Sequence, residues 1–153
     1  MHLKAALCEK TSIAFGFPIE EKIGKLKMPF IHVKSLPFEE KIDISNVIRN
    51  VAIDFSGNTD IQLCHIHTTW EYYQSGHYAK GDKISEFQPK KNYPIIVELF
   101  TPDSCDLKLI GIMLESIANS ISKNTGFPQN NIFIRSRVAK SNTVFDDGQI
   151  VEW

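Results

Sequence analysis

The chain repeats itself, and an internal repeat constrains architecture more tightly than any local propensity. Met28-Pro29-Phe30-Ile31-His32-Val33 and Tyr93-Pro94-Ile95-Ile96-Val97-Glu98 are each a proline leading an apolar, β-branched run, the signature of a strand. After the first, Ile44, Val47, Ile48, Val51, Ala52 and Phe55 recur at the spacing of one helix face. After the second, Ile110, Met113, Leu114, Ile117, Ala118 and Ile121 do the same, at almost the same distance from the leading proline. Ser35 and Pro37 before the first helix, and Thr101, Pro102, Asp103 and Ser104 before the second, supply capping oxygens and preset φ angles. Gly57 and Gly126 are the expected helix ends, followed by strands over 61–68 and 132–138.

Each half is thus a β-α-β unit, one spanning about 28–70 and the other 93–138. Such a unit makes a right-handed crossover between parallel strands, so two of them predict a four-stranded mixed sheet with both helices on one face, an α+β fold. The near-continuous apolar run Ile95 to Phe100 suits a strand covered on both sides, and oligomerisation would supply the missing layer. A polar, aromatic connection over 71–92 carries Gly76, Gly81, Pro89 and Tyr72, Tyr73, Tyr78 and Phe87. Its length suits a short hairpin, a lid or a subunit contact as much as a plain surface loop.

Composition closes off several functions. Seventeen Lys and Arg against eighteen Asp and Glu leave a net charge of -1, too little positive field to hold a phosphate backbone, so nucleic acid is not an expected partner. No apolar run reaches the ~18 residues of a membrane span. Lys4, Glu9 and Lys10 interrupt any signal-peptide core, and Glu20 and Glu21 with no Arg argue against a transit peptide. Cys8, Cys64 and Cys105 are odd in number and widely spaced, which is neither a disulfide framework nor a zinc pattern; a reducing, cytoplasmic setting is expected.

The start at Met28-Pro29-Phe30-Ile31-His32-Val33, with the duplicated layout behind it, resembles the tautomerase superfamily, in the macrophage migration inhibitory factor branch with two β-α-β units per chain. The resemblance covers 28–153. It extends through Ile132-Phe133-Ile134-Arg135-Ser136-Arg137-Val138 to Asn142-Thr143-Val144-Phe145-Asp146-Asp147-Gly148, which is similar to that family's last long strand and its aromatic, glycine-containing turn. It implies a homotrimer, no cofactor, a small 2-oxo acid as substrate, and keto-enol proton transfer by a proline freed at the amino terminus. Pro29 would be that catalytic base. Phe133, Arg135 and Arg137 would line the pocket from the adjacent subunit, with Phe145 as its aromatic wall.

The chemistry is coherent on its own terms. Keto-enol exchange needs a base that is neutral at working pH and easily reprotonated, and a secondary amine in a dry pocket qualifies because desolvation disfavours its charged form. Arg135 and Arg137 alternate onto one strand face, where they are either a bidentate carboxylate clamp or two solvated strand-end arginines. Two departures from the family stand out. Gly57-Asn58 occupies the helix end where the inhibitory-factor branch carries a pocket lysine, and Phe38-Glu39-Glu40 replaces the early arginine of the half-length proteins. Residues 1–27 also precede Met28, and an internal Pro29 is an imide with no basic lone pair. Catalysis therefore requires a mature chain that begins at Pro29; otherwise the proline chemistry is lost and a binding or oligomerisation module remains.

Three smaller features complete the reading. Cys64-His65-Ile66-His67, with His32, offers an H-x-H pair, but no carboxylate follows at ligand spacing and a structural or pocket-edge role is expected, with no metal. Cys105 at the start of the second helix would have its thiol pKa lowered by the helix dipole, but no histidine partner is evident and a plain small residue of the first turn is expected. Asp146-Asp147-Gly148 reads as a tight turn. The competing architecture is a ferredoxin-like domain, which shares the β-α-β-β-α-β order.

Overall fold

A computed structural model describes residues 28–153, and the extension 1–27 inferred above lies outside the described residues. The elements run β1 (Phe30–Ser35), α1 (Ile44–Thr59), β2 (His67–Tyr72), β3 (Tyr78–Lys80), β4 (Lys83–Ser85), β5 (Ile95–Pro102), α2 (Leu107–Thr125), β6 (Ile132–Ala139), β7 (Phe145–Asp146) and β8 (Gln149–Ile150). Four of them form a sheet of order β2-β1-β5-β6, in which β1 is parallel to β2, β5 is parallel to β6, and the two halves meet antiparallel at β1 and β5. A ferredoxin-like domain splits each β-α-β unit with an intervening strand, whereas here β1 and β2 are direct neighbours, so that alternative is overturned.

One face of this sheet carries both helices. Ile31 and Val33 of β1 and Ile95, Val97 and Leu99 of β5 pack against Val47, Val51 and Phe55 of α1 and Met113, Ile117 and Ile121 of α2, all at most 2% exposed. The helix residues of the two halves correspond at a constant spacing, Val47 to Met113, Val51 to Ile117 and Phe55 to Ile121. That same spacing sets Ser35 against Thr101, both buried, and Thr59 against Thr125. Each of these last two hydroxyls donates to a carbonyl four residues back, Phe55 O at 2.7 Å and Ile121 O at 2.6 Å. It also sets Pro29 against Ile95 and Met28 against Pro94, so the two prolines are not equivalent but one residue out of step. Side chains alternate across a strand, and burial of the odd-numbered residues on both strands fixes the true correspondence.

The helices pack antiparallel along a ladder of polar pairs. Asn50 donates to Asn124 Oδ1 at 2.7 Å, Ser120 donates to Asp54 Oδ2 at 2.6 Å, and Asn58 donates to Ser116 Oγ at 2.9 Å. The outer pairs are images of each other under the repeat, and the Asp54–Ser120 pair lies on the pseudo-twofold axis.

Several expected boundaries move. The helix N-caps are Asp43 and Asp106, whose carboxylates accept from Asn46 N–H at 3.1 Å and Leu109 N–H at 2.8 Å, not the Ser35 or Thr101 groups, which belong to strand ends. Gly57 lies inside α1, which ends at Asp60 in the left-handed conformation, φ 58°; Gly126 caps α2 as expected. The strand expected over 61–68 begins only at His67, because a turn of 3₁₀ helix, Leu63–His65, intervenes. The 71–92 connection carries a hairpin, β3 with β4. Asp147 and Gly148, with φ of 49° and 78°, form the tight turn between β7 and β8. The expectation of uncrosslinked cysteines is corrected at Cys64, which is disulfide-bonded; Cys105 is the free thiol among the described residues. No described helix is long and apolar enough to cross a membrane.

Candidate active site

Residues of the sheet that alternate away from the helices form an open face, and its register is set by three ladders. Phe30 of β1 lies between His67 of β2 and Phe100 of β5, and Phe100 is paired in turn with Arg137 of β6. The row one step in is Thr69, His32, Glu98 and Arg135; the next is Glu71, Lys34, Ile96 and Phe133. The start of β1 is thus walled by aromatic groups. His67 stacks on Phe30 at 6.0 Å, Phe100 meets Phe30 edge-on at 6.4 Å, and the Arg137 guanidinium lies over Phe100 at 5.9 Å.

Pro29 immediately precedes Phe30 and alternates onto the opposite, helix-covered face. It is buried, and its carbonyl accepts from His67 N–H at 3.1 Å, which anchors the strand start to β2. Phe133, Arg135 and Arg137 occupy the same face of edge strand β6, each about half exposed, two strand spacings (about 10 Å) from β1. Phe145 is 69% exposed in the separate β7–β8 hairpin. Within one chain these four residues do not converge on Pro29.

The arginine pair does close on a carboxylate, but an internal one. Arg135 Nε donates to Glu98 Oε1 at 3.1 Å, its Nη2 reaches the same oxygen, and Arg137 Nη2 joins them at 2.9 Å. Sequence reasoning missed Glu98, because only the parallel β5–β6 register brings it to both arginines. Hydrogen bonding from Arg135, with Arg137 adding to it, holds the Glu98 carboxyl below the usual carboxylate range despite an opposing desolvation effect. A lowered folded-state pKa contributes stability that is present above the unfolded value and lost as pH falls through the folded one. The stability difference between the parent and Glu98→Gln is therefore expected to be constant near neutrality and to shrink in acid. Denaturant melts from pH 7 to pH 2 test this, and a difference that does not change with pH would refute it.

A second polar cluster, also missed, occupies the β1–β2 side of the face. His32 Nδ1 pairs with Thr69 Oγ1, while Glu71 Oε2 lies 3.2 Å from His32 Nε2 and 3.5 Å from Lys34 Nζ. The repeat spacing that aligns the helices also aligns His32 with Glu98, and that signal could have exposed both clusters. His65 sits in the 3₁₀ turn. No group of three or more His, Cys, Asp or Glu among the described residues is arranged to hold a metal ion.

One further expectation changes. Cys105 precedes α2 half-buried against the core, and burial, with Asp106 beside it, pushes its thiol up to about 11, so the anticipated dipole-lowered pKa is reversed. Asn58 bonds to Ser116 between the helices. A cavity of about 410 Å³, lined by Phe38, Glu40, Glu86, Gln88, Lys90 and Phe127, lies past the far end of β1 from Pro29.

No family model matches the sequence, and no curated protein matches it at a significant level. Solved structures do match. Pt0534 inactivated by 2-oxo-3-pentynoate superposes with a TM-score of 0.68 at 8% identity, over 80% of this chain and 94% of the other. A wild-type symmetric trimer of fused 4-OT gives 0.66 at 8% identity, over 80% and 95%. MIF2 of Leishmania major gives 0.59 at 13% identity, over 84% and 99%. At such identities the shared property is the backbone arrangement: paired β-α-β units meeting antiparallel, helices on one face. The fold of this chain is that of the tautomerase superfamily.

Proposed function

We propose that this protein is a tautomerase, moving a proton between the enol oxygen and the adjacent carbon of a small 2-oxo acid, with Pro29 as its amino-terminal base in a homotrimer. The observation that carries this reading is the position of Pro29. It is buried immediately before central strand β1, whose first residue, Phe30, carries the aromatic wall. A secondary amine there would be desolvated, which favours its neutral, basic form. It takes the enol hydroxyl proton and a proton is delivered to carbon; nothing is oxidised or reduced, and no cofactor is required.

One observation supports a start at Pro29. Met28 holds φ at 71°, the left-handed region that costs a non-glycine residue, and its removal releases that strain. The fold neighbours add chemical context: one carries an inactivator that is itself a 2-oxo compound, and another is a trimer. In a trimer, a neighbouring β6 edge would bring Phe133 and Arg135 towards Pro29, and the open sheet faces would be covered.

A second reading, a binding or assembly module without proton chemistry, is favoured by Glu98, which already occupies both arginines. Enol-keto conversion of phenylpyruvate separates the two, measured on the chain that retains Met28 and on the chain that begins at Pro29. Mass spectrometry of protein from the native host establishes which terminus exists there. On a sizing column with light scattering, the mass of three copies is expected, and a monomer would remove the shared pocket.

A further inference from the structure

The repeat makes the two ends of the sheet formally equivalent, yet their chemistry differs. Ser35 and Thr101 correspond, and both side chains are buried beneath the helices, Thr101 at 1% exposure. The Ser35 hydroxyl is fully used, accepting from Trp70 Nε1 at 3.1 Å and donating to Leu36 O at 2.9 Å. Around it the connection after β4 closes the end. Gln88 Oε1 accepts from Leu36 N–H at 3.0 Å, and Asn131 Nδ2 donates to Pro89 O at 2.8 Å and Tyr93 O at 3.1 Å. Among the described residues no such side-chain closure is found at the end where β1 begins, and Thr101 Oγ1 has no hydrogen-bond partner there. A buried hydroxyl left unpaired is costly, and in native proteins such a group has a reason.

Position supplies the reason. The antiparallel ladder of β1 and β5 ends with Phe30 opposite Phe100, so one step further sets Pro29 beside Thr101. Both alternate onto the helix face, as Ile31 and Leu99 do. Directly opposed residues have Cβ atoms about 4.5–5.5 Å apart, which brings the Thr101 hydroxyl into the neighbourhood of the Pro29 nitrogen. While Met28 is attached, that nitrogen is an imide with neither a hydrogen to donate nor a lone pair to share.

We infer that Thr101 is a positioning residue for the amino terminus of Pro29: with Met28 removed, a Pro29 N–H donates to Thr101 Oγ1, which aims the nitrogen's remaining bond or lone pair at the substrate. This rests on the reading of Pro29 as the mature terminus. The pairing also explains why one pseudo-equivalent end is closed by Gln88 while the other retains an open valence.

The test is a cycle of four chains: with Met28 and its preceding residues or beginning at Pro29, each carrying Thr101 or Thr101→Val. Valine keeps the shape and removes the hydroxyl. In the longer chain the substitution deletes an unpaired group, and Tm is expected to rise by about 2–4 °C. In the chain beginning at Pro29 it deletes a made bond, and Tm is expected to fall. Nitrogen NMR of labelled Pro29 gives a second readout. An N–H bond to oxygen is stronger from the ammonium than from the amine, so Thr101→Val should lower the amine pKa by roughly 0.5–1 unit, and Thr101→Ser should restore it. The charged and titratable groups at this end are His67 on β2, Arg137 on β6, Asp60 after α1, and Asp103, Cys105 and Asp106 between β5 and α2. They are identical in every chain of the cycle.

Equal Tm changes in both chains with an unmoved amine titration would overturn the inference. If the cycle and titration behave as expected but phenylpyruvate is not converted, Thr101 stands and the catalytic reading falls. If phenylpyruvate is converted with the same pH profile in the valine variant, the catalytic reading stands and Thr101 falls.

Discussion

The chain beginning at Pro29 will convert enol phenylpyruvate to its keto form about 10²–10⁴ times faster than the chain that retains Met28, the range a positioned general base supplies. The cause is a single bond. In the longer chain the Pro29 nitrogen shares its lone pair with the Met28 carbonyl and cannot accept a proton at any accessible pH. Cleavage creates a secondary amine without moving strand β1, because Pro29 stays tied to β2 through its carbonyl and His67 N–H. The active form is the neutral amine, so the rate should rise with pH through its pKa and level off above it. An ordinary α-amino group titrates near ~7.7–8.0, and burial displaces the rise downward. Pro29→Ala in the shortened chain removes the ring that fixes φ and orients the nitrogen, and should lower the rate. Loss of enol absorbance on stopped mixing measures all three proteins. Equal rates with and without Met28 would show that Pro29 is not the base.

What the sequence made legible was whatever depends on periodicity. Val47, Val51 and Phe55 mark the buried face of α1 and Met113, Ile117 and Ile121 that of α2, because a helix side in contact with a sheet must be apolar at that spacing. Turn chemistry was also readable at Asp147-Gly148, where positive φ at consecutive residues demands such a pair. Helix starts were misplaced because Ser35 and Thr101 have the right oxygens in the wrong backbone; the true caps, Asp43 and Asp106, are defined by where the chain turns. The leading prolines suggested a correspondence one residue off, an error that alternation magnifies into the opposite sheet face.

The candidate site was less readable, for a physical reason. Arg135 and Arg137 were legible as a same-face pair, but Glu98, which engages both, lies 37 residues before Arg135 in the chain. The orphan hydroxyl of Thr101 has no local sequence signal at all. Both are consequences of pairing between strands distant in sequence, and hydrophobic pattern carries no information about partners. Helix and strand identity are local properties, whereas charge satisfaction is a property of the assembled sheet.

Phe55→Ala is expected to be the most damaging substitution to the core, lowering stability by about 3–5 kcal/mol, the cost of deleting a buried phenylalanine ring. The ring is 0% exposed and belongs to the apolar cluster formed by both halves of the repeat. Its surroundings resist collapse into the vacated space. The adjacent Asp54–Ser120 pair ties α1 to α2, so α1 cannot shift against α2 without breaking that bond. Ile121, its counterpart in the second half, should cost less on truncation to alanine, about 2–5 kcal/mol, because fewer buried atoms are lost. Urea titrations at equal protomer concentration test both values, since assembly adds a concentration-dependent contribution that must be common to every variant. A loss below about 1 kcal/mol for Phe55→Ala would mean that the two halves do not share one close-packed core, and that the pseudo-twofold arrangement is held by the sheet alone.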